Sequence, residues 1–444
     1  MQEFFIKAAQ LVLSLSLLVI IHEFGHFTFA RLFKTRVEKF YLFFNPWFSL
    51  WKKKIGETEY GIGWVPLGGY VAISGMIDES MNTESLKEEP KPWEFRSKTK
   101  WQRLLIMIGG VLFNFILAFI IYIGVLFAWG TSYLPTDNLT HGISVNKEAR
   151  AMGFENGDKI ISVDGQKIEN FAKFLPTIAI DGAKQVEVSR NGTEVSIPIT
   201  NKYLPELLKG KMSFEPRILN KFSIANIVDD SPAEKVGLKT GDQILSLDGL
   251  SFKFYDELTS YAQNHANQQV TFNILREGKE LQVPITISAE GTVGFYPDFS
   301  PEAYDYLSYE TRSYSFFEAI PAGIDLGVST IKSYLNQLKL FFKPETKAYE
   351  SLGGFIAIGN IFPSAWDWHR FWMMTAFLSI ILGVMNLLPI PALDGGHVMF
   401  LLYEIITGRK PSDKFLEYAQ TVGMILLLIL VVYANGNDIL RLFK

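Results

Sequence analysis

The sequence predicts a multi-pass α-helical membrane protein with about four transmembrane helices, a re-entrant β-hairpin and two inserted β-rich domains. Three observations carry this fold class. Four apolar runs are each long enough to cross a bilayer, and a polar stretch that repeats itself separates the first two from the last two. Mean hydropathy is +0.15 with 48% hydrophobic residues, the average of apolar helices and a water-exposed part. At 444 residues the chain is too long for one compact domain.

The first run spans about Phe4 to Phe33 and carries no charge between Ala8 and Ile21. It is too long for a cleaved signal peptide and lacks a small-residue cleavage site, so it is expected to stay as an anchor. Within it lies His22-Glu23-Phe24-Gly25-His26, the pattern H-E-x-x-H. On a helix the two histidines fall one turn apart on one face, so both imidazoles can reach one Zn²⁺. Glu23 points toward the same ion without having to bind it and can take a proton from water there. Ionisable groups in an apolar run are costly and usually have a task. The plain alternative is two histidines that satisfy an interfacial helix end.

From Glu57 to Gly75 strand residues alternate with glycine. We read 57–75 as a re-entrant β-hairpin lining the site, with Gly68, Gly69, Tyr70 and Val71 as candidate substrate contacts. Its free edge could pair with an unwound peptide by strand addition. A hairpin lying flat on the membrane is the alternative. Residues 76–100 are charged and read as a surface loop. The second run, Leu104 to Trp129, has no charged residue. Arg31, Lys34, Arg36, Lys39, Lys52 to Lys54, Arg96, Lys98, Lys100 and Arg103 lie between these two runs. With Arg409, Lys410 and Lys414 between the last two, the positive-inside rule puts both loops in the cytoplasm. The termini and residues 131–370 then lie outside, and the H-E-x-x-H motif sits toward the cytoplasmic side.

After Thr131 the chain turns polar, with short alternating segments. Met152-Gly-Phe-Glu-Asn-Gly-Asp-Lys-Ile-Ile-Ser-Val-Asp-Gly165 recurs as Val236-Gly-Leu-Lys-Thr-Gly-Asp-Gln-Ile-Leu-Ser-Leu-Asp-Gly249. Arg190-Asn-Gly and the strand after it recur from Arg276-Glu-Gly. Two tandem copies follow, at 131–220 and 221–303. The shared run resembles bacterial protease-associated PDZ domains, which can take an extended peptide onto a sheet edge. Steric covers without a ligand are an equal alternative, since neither copy has an obvious carboxylate-binding loop. In 304–370, Phe316 to Phe342 suits a helix at the interface, and Trp366, Trp368 and Trp372 suit an aromatic belt.

Residues 371–444 hold the last two runs. The third begins near Phe371 and is broken by Pro389 and Pro391, and the fourth spans about Tyr418 to Tyr433. Asp394 follows the break directly. There are no cysteines, so neither disulfides nor thiolate ligands exist, and a metal must be held by histidine and carboxylate. His22, His26 and Asp394 make a three-ligand set with room for water. His397 is a rival ligand, and Asp394 as a plain helix cap is the alternative. A net charge of −4 and a pI near 6.0 give no reason to expect nucleic-acid binding.

H-E-x-x-H in a first span, a PDZ insertion and Asn386-Leu-Leu-Pro-Ile-Pro-Ala-Leu-Asp394-Gly in a later span together resemble the site-2 protease family, in its bacterial RseP branch. The resemblance covers essentially the whole chain. It implies a zinc metalloendopeptidase of the bacterial inner membrane, with periplasmic PDZ domains, that cuts within membrane-spanning segments. The implied substrates are single-span proteins already trimmed on the outer side, notably an anti-sigma factor of an envelope-stress pathway, and remnant signal peptides. The PDZ pair would then exclude substrates that keep a folded outer domain. Gly110-Val-Leu-Phe-Asn114 resembles the family's G-x-x-x-N element and puts Asn114 near the site, unless it serves helix packing. Asn386 matches a family asparagine implied to contact substrate. Ile381 and Phe355 depart from the asparagine and proline usual in relatives. A PDZ adaptor with a vestigial metal site and a zinc transporter are the other classes to separate.

Overall fold

The structure, a computed structural model, describes residues 2–66, 68–76, 89–220, 222–298, 307–346 and 352–442. It divides into two compact units. One comprises Met1–Gly130, Ser313–Leu338 and Leu352–Lys444, and the other Thr131–Arg312 and Lys339–Ser351.

The first unit is helical around one four-stranded sheet. Helix α1 (Gln2–Leu32) leads through strands β1 (Val37–Leu42), β2 (Trp51–Ile55), β3 (Thr58–Ile62) and β4 (Tyr70–Ile73) to α2 (Lys100–Trp129). Later come α3 (Phe316–Phe341), α4 (Phe355–Gly359), α5 (Trp368–Leu387), α6 (Asp394–Thr407) and α7 (Asp413–Leu442). Among the described residues four stretches are long and apolar enough to cross a membrane: α1, α2, α5 and Lys414–Leu440 of α7. This agrees with the expected spans.

Helix α2 is the central strut. It starts on a capping box between Thr99 and Gln102, which satisfies backbone N–H groups the helix cannot pair itself. Gly25 of α1 and Gly109 of α2 meet backbone to backbone. A Cβ on Gly25 would collide with the Gly109 carbonyl, and one on Gly109 would stand 2.7 Å from the Gly25 oxygen. Ala118, Ile121 and Val125 of α2 pack with Ala376, Ile380 and Val384 of α5. Gly323 and Gly327 of α3 rest on Ile123 and Phe119 of α2. At the start of α5 the rings of Trp366 and Trp368 lie 5.2 Å apart, and those of Phe371 and Trp372 5.1 Å.

The sheet corrects the expected 57–75 hairpin. Its order is β2-β3-β1-β4, so the two strands within 57–75 do not pair with each other. The hairpin partner of β3 is β2, across a tight turn at Gly56, whose φ is +63°. β1 lies between β3 and β4, parallel to the first and antiparallel to the second. Glu38 and Lys39 obscure its strand pattern, yet Val37 and Tyr41 are buried, and Lys39 stands opposite Glu59. A central strand supplies backbone partners to both neighbours, which a closed hairpin would have left facing apolar surroundings. Leu67 of this stretch, and residues 77–88 of the expected surface loop, lie outside the described residues.

The second unit holds two copies of one three-stranded antiparallel meander. The first is Lys159–Val163, Gln185–Arg190 and Thr193–Pro198; the second is Gln243–Leu247, Gln269–Arg276 and Lys279–Thr286. Each breaks register at the same place, after Ile160 and after Ile244. Gly157 and Gly241 both sit at positive φ, +94° and +91°, where an L side chain would be strained. The aspartate after each glycine is buried on an arginine: Arg190 Nε donates to Asp158 at 2.8 Å, and Arg276 Nε to Asp242 at 2.7 Å. Arg217 ties the copies together, donating to Asp256 at 2.9 Å while Asn156 donates to the other oxygen at 2.6 Å. Lys221 and residues 299–306 lie outside the described residues.

Burial alone would raise the Asp242 carboxyl, but the Arg276 guanidinium and the Lys239 N–H outweigh it and hold it below the usual range. Its stabilisation is therefore present above the unfolded value of about 3.9 and is lost on acidification through the folded value. Arg276→Ala strands the carboxylate, and hydrogen exchange over residues 222–298 should show a loss of about 3 kcal/mol at pH 7. The stranded group's folded pKa rises, so the deficit against the parent protein should shrink as the pH falls toward 5.

Candidate active site

Helix α1 places His22 and His26 on one buried face, with their Nε2 atoms 3.3 Å apart. The break at Pro389 and Pro391 ends α5 at Leu387, and Asp394 becomes the first residue of α6. Leu393, not Asp394, holds the cap position, and no side chain caps there. Asp394 Oδ2 lies 3.1 Å from His22 Nε2 and 3.3 Å from His26 Nε2. Ligand atoms about 2.0–2.1 Å from a tetrahedral Zn²⁺ stand roughly 3.4 Å from one another. The three atoms have that spacing. Asp394 Oδ2 is also buried without a hydrogen-bond partner, which suits a cation and little else. Among the described residues these three form the one cluster able to hold a metal. His397 lines the same cavity but stands outside the cluster.

Helix α2 orients both imidazoles from a single stripe at four-residue spacing. The Ile106 carbonyl accepts from His26 Nδ1–H at 2.8 Å, which leaves Nε2 its lone pair. Gly110 presses against both rings: a Cβ there would collide with His26 Nε2 and stand 2.7 Å from His22 Cε1. The Asn114 amide meets His22 Nδ1 at 3.0 Å, and its Oδ1 is buried without a partner. Turning that amide by half a rotation gives Oδ1 the Nδ1–H and frees His22 Nε2 for a metal, so both demands resolve together.

These groups open onto a cavity of about 740 Å³. Glu23 faces it beside the metal cluster, within reach of the Val71 backbone N–H of β4. Gly68, Gly69, Tyr70 and Val71 line it as well. Gly69 allows β4 to approach α1, since a Cβ would stand 2.6 Å from Val19 and 2.7 Å from the Tyr41 oxygen. The Tyr70 ring stacks on Tyr41 with centroids 5.2 Å apart, and its hydroxyl donates to Asn45 at 2.9 Å. Asn386, in the last turn of α5, brings its amide within 3.4 Å of His22 Nε2.

Several cavity residues were not anticipated, among them Asn45, Met107 and Gln420. Gln420 had a readable signal, being an amide inside an apolar run. Met107 had none. Of the two departures, Phe355 lines the cavity, whereas Ile381 packs in the cluster around Leu18 and Phe371.

The family model described as peptidase family M50 matches residues 10–430. A protein of Yersinia pestis named protease RseP is 29% identical over 458 residues, covering 98% of each chain. Regulator of sigma E protease of Haemophilus influenzae is 30% identical over 454 residues, 97% of this chain and 98% of the relative. A protein of Borreliella burgdorferi with the provisional name zinc metalloprotease is 29% identical over 443 residues, 96% of this chain and 97% of the relative.

Asn114→Leu removes the acceptor for His22 Nδ1–H at nearly constant volume. Zinc affinity, measured by chelator competition on the purified chain, should fall about 10- to 100-fold.

Proposed function

The chain belongs to peptidase family M50 and is a membrane-embedded zinc metalloprotease of the site-2 type, and on that premise we propose that it hydrolyses peptide bonds within the membrane-spanning segments of single-span proteins. The observation that carries this reading is the meeting of His22, His26 and Asp394 beside Glu23, on a cavity walled by a sheet edge.

In this reading His22, His26 and Asp394 hold the metal, and Asn114 and Ile106 fix the imidazoles. Zinc held there supplies Lewis acidity, bringing the pKa of water to about 7 and polarising a carbonyl. Glu23 accepts the proton of the attacking water and passes it to the departing amine. A substrate helix hides its carbonyls in internal hydrogen bonds and must unwind to be cut. The segment Gly68 to Val71, which leads into the free edge of β4, offers replacement partners to the extended backbone. Asn386, close to His22 Nε2, donates to the substrate carbonyl.

The substrates proposed are a pre-trimmed anti-sigma factor and remnant signal peptides, in support of which relatives are named regulators of sigma E protease. The run of basic residues between α1 and α2 supports an inner-membrane orientation with the active site toward the cytoplasm and the second unit in the periplasm. The repeated meanders support a reading of that unit as tandem PDZ domains, which take peptide ligands or screen substrates by size.

Glu23→Gln should keep its zinc while cleavage of a single-span substrate in proteoliposomes falls about a thousandfold or more. Asp394→Ala should lose both zinc and cleavage. Full zinc content in the Asp394 variant would remove the proposed ligand set, and unchanged cleavage by Glu23→Gln would end the mechanism.

A further inference from the structure

Helix α7 is apolar and exposed along most of its length. Among its described side chains only Gln420, Gly423 and Asp438 are buried. Asp438 has a partner at the far end, where its carboxylate accepts the Ala357 N–H at 3.0 Å. Gln420 and Gly423 are three residues apart and share a face. Gly423 meets the proline break directly, since a Cβ there would collide with the Pro391 carbonyl. That contact sets the rotation of α7 and turns Gln420 into the catalytic cavity, where it lines the wall with Ala392, Leu393, Asp394 and His397. Gln420 is only 7% exposed, and its side chain has no hydrogen-bond partner among the described residues.

A carboxamide without a partner is costly in a membrane-spanning helix. Packing does not require it, because a methionine would fill the same length. What distinguishes glutamine is a donor and an acceptor side by side, the complement of a peptide group. A substrate unwound over the cavity strands its backbone N–H and C=O groups in surroundings with little water. The edge of β4 can pair with only some of them, since alternate groups of an extended chain point the other way.

We propose that Gln420 is a further substrate-binding residue, whose carboxamide pairs with a main-chain peptide group of the unwound segment beside the bond that is cut. The inference rests on the proteolytic reading of the cavity. It assigns Gln420 to backbone recognition, which tolerates many side-chain sequences, and not to a side-chain pocket.

The test uses the full chain in nanodiscs with a synthetic single-span substrate, in which peptide bonds near the cut are replaced one at a time by esters. Each ester removes an N–H and weakens the adjoining carbonyl. Gln420→Met should lower kcat/KM about ten- to a hundredfold, the effect of one peptide group left unpaired in a dry site, with zinc content unchanged and the melting temperature not lowered. One ester position should cost the parent protein about tenfold and the Met variant nothing further, a non-additivity that a structural role would not produce. If the Met variant loses zinc, Gln420→Asn, which keeps the amide but shortens its reach, carries the same comparison. Unchanged kcat/KM in the variants, or ester effects that add in full at every position, would overturn the assignment. A zinc-loaded parent protein that cleaves none of these substrates would overturn the proteolytic reading itself.

Discussion

A carboxylate oxygen sealed between two imidazole nitrogens, with no hydrogen bond of its own, is the constraint around which the membrane unit is arranged. An isolated buried anion there would destabilise the fold by several kcal/mol, roughly, and a divalent cation reverses that sign. The end of α1 and the start of α6 are far apart in sequence and do not meet without a template. Helix α2 is that template. Its residues Ile106, Gly110 and Asn114 give the imidazoles an acceptor, a flat seat and a second acceptor. The close contact of Gly25 with Gly109 lets them reach that stripe, because any side chain at either position would hold α1 away from it.

The proline break serves the same end from the other direction. It stops α5 so that Asn386 lies in the last turn, and it restarts the chain so that α6 begins on Asp394. Unpaired backbone is tolerated within a membrane only under cover. Gly395 and Gly396 pack against the carbonyls of Leu388 and Ile390, and Gly423 of α7 closes over Pro391. The same covering contact that protects the break orients the cavity-facing side of α7.

Chemistry was more legible in the sequence than topology. H-E-x-x-H and the aspartate behind two prolines are local patterns, and residue spacing and type alone indicate what His22, His26 and Asp394 can bind. The four spans were legible because twenty apolar residues have few other uses. The sheet was not. Whether β3 pairs with β4 or with β1 depends on partners supplied elsewhere in the chain, and the charges at Glu38 and Lys39 made β1 resemble a cytoplasmic loop. Gly110 was visible as part of a G-x-x-x-N pattern, but its contact with both rings depends on the crossing of two helices. Gln420 was not anticipated, although it is an amide in an apolar run, and only the contact of Gly423 with Pro391 shows which way it faces.

The sheet order also bears on which edge can receive a peptide. Both β2 and β4 are edge strands, and an unguarded edge invites pairing with other chains. β2 is guarded, since Lys52, Lys53 and Lys54 are all exposed along it. β4 reads Tyr-Val-Ala-Ile, with no charge or proline to discourage pairing. A strand so composed is a liability on an open surface, and here it borders the cavity beside Glu23, His22, His26 and Asp394. Two edges of one sheet thus carry opposite treatments. The one left able to pair is the one where an extended backbone would come within reach of His22, His26 and Asp394, and Gly68 and Gly69 ahead of it keep that approach free of side chains.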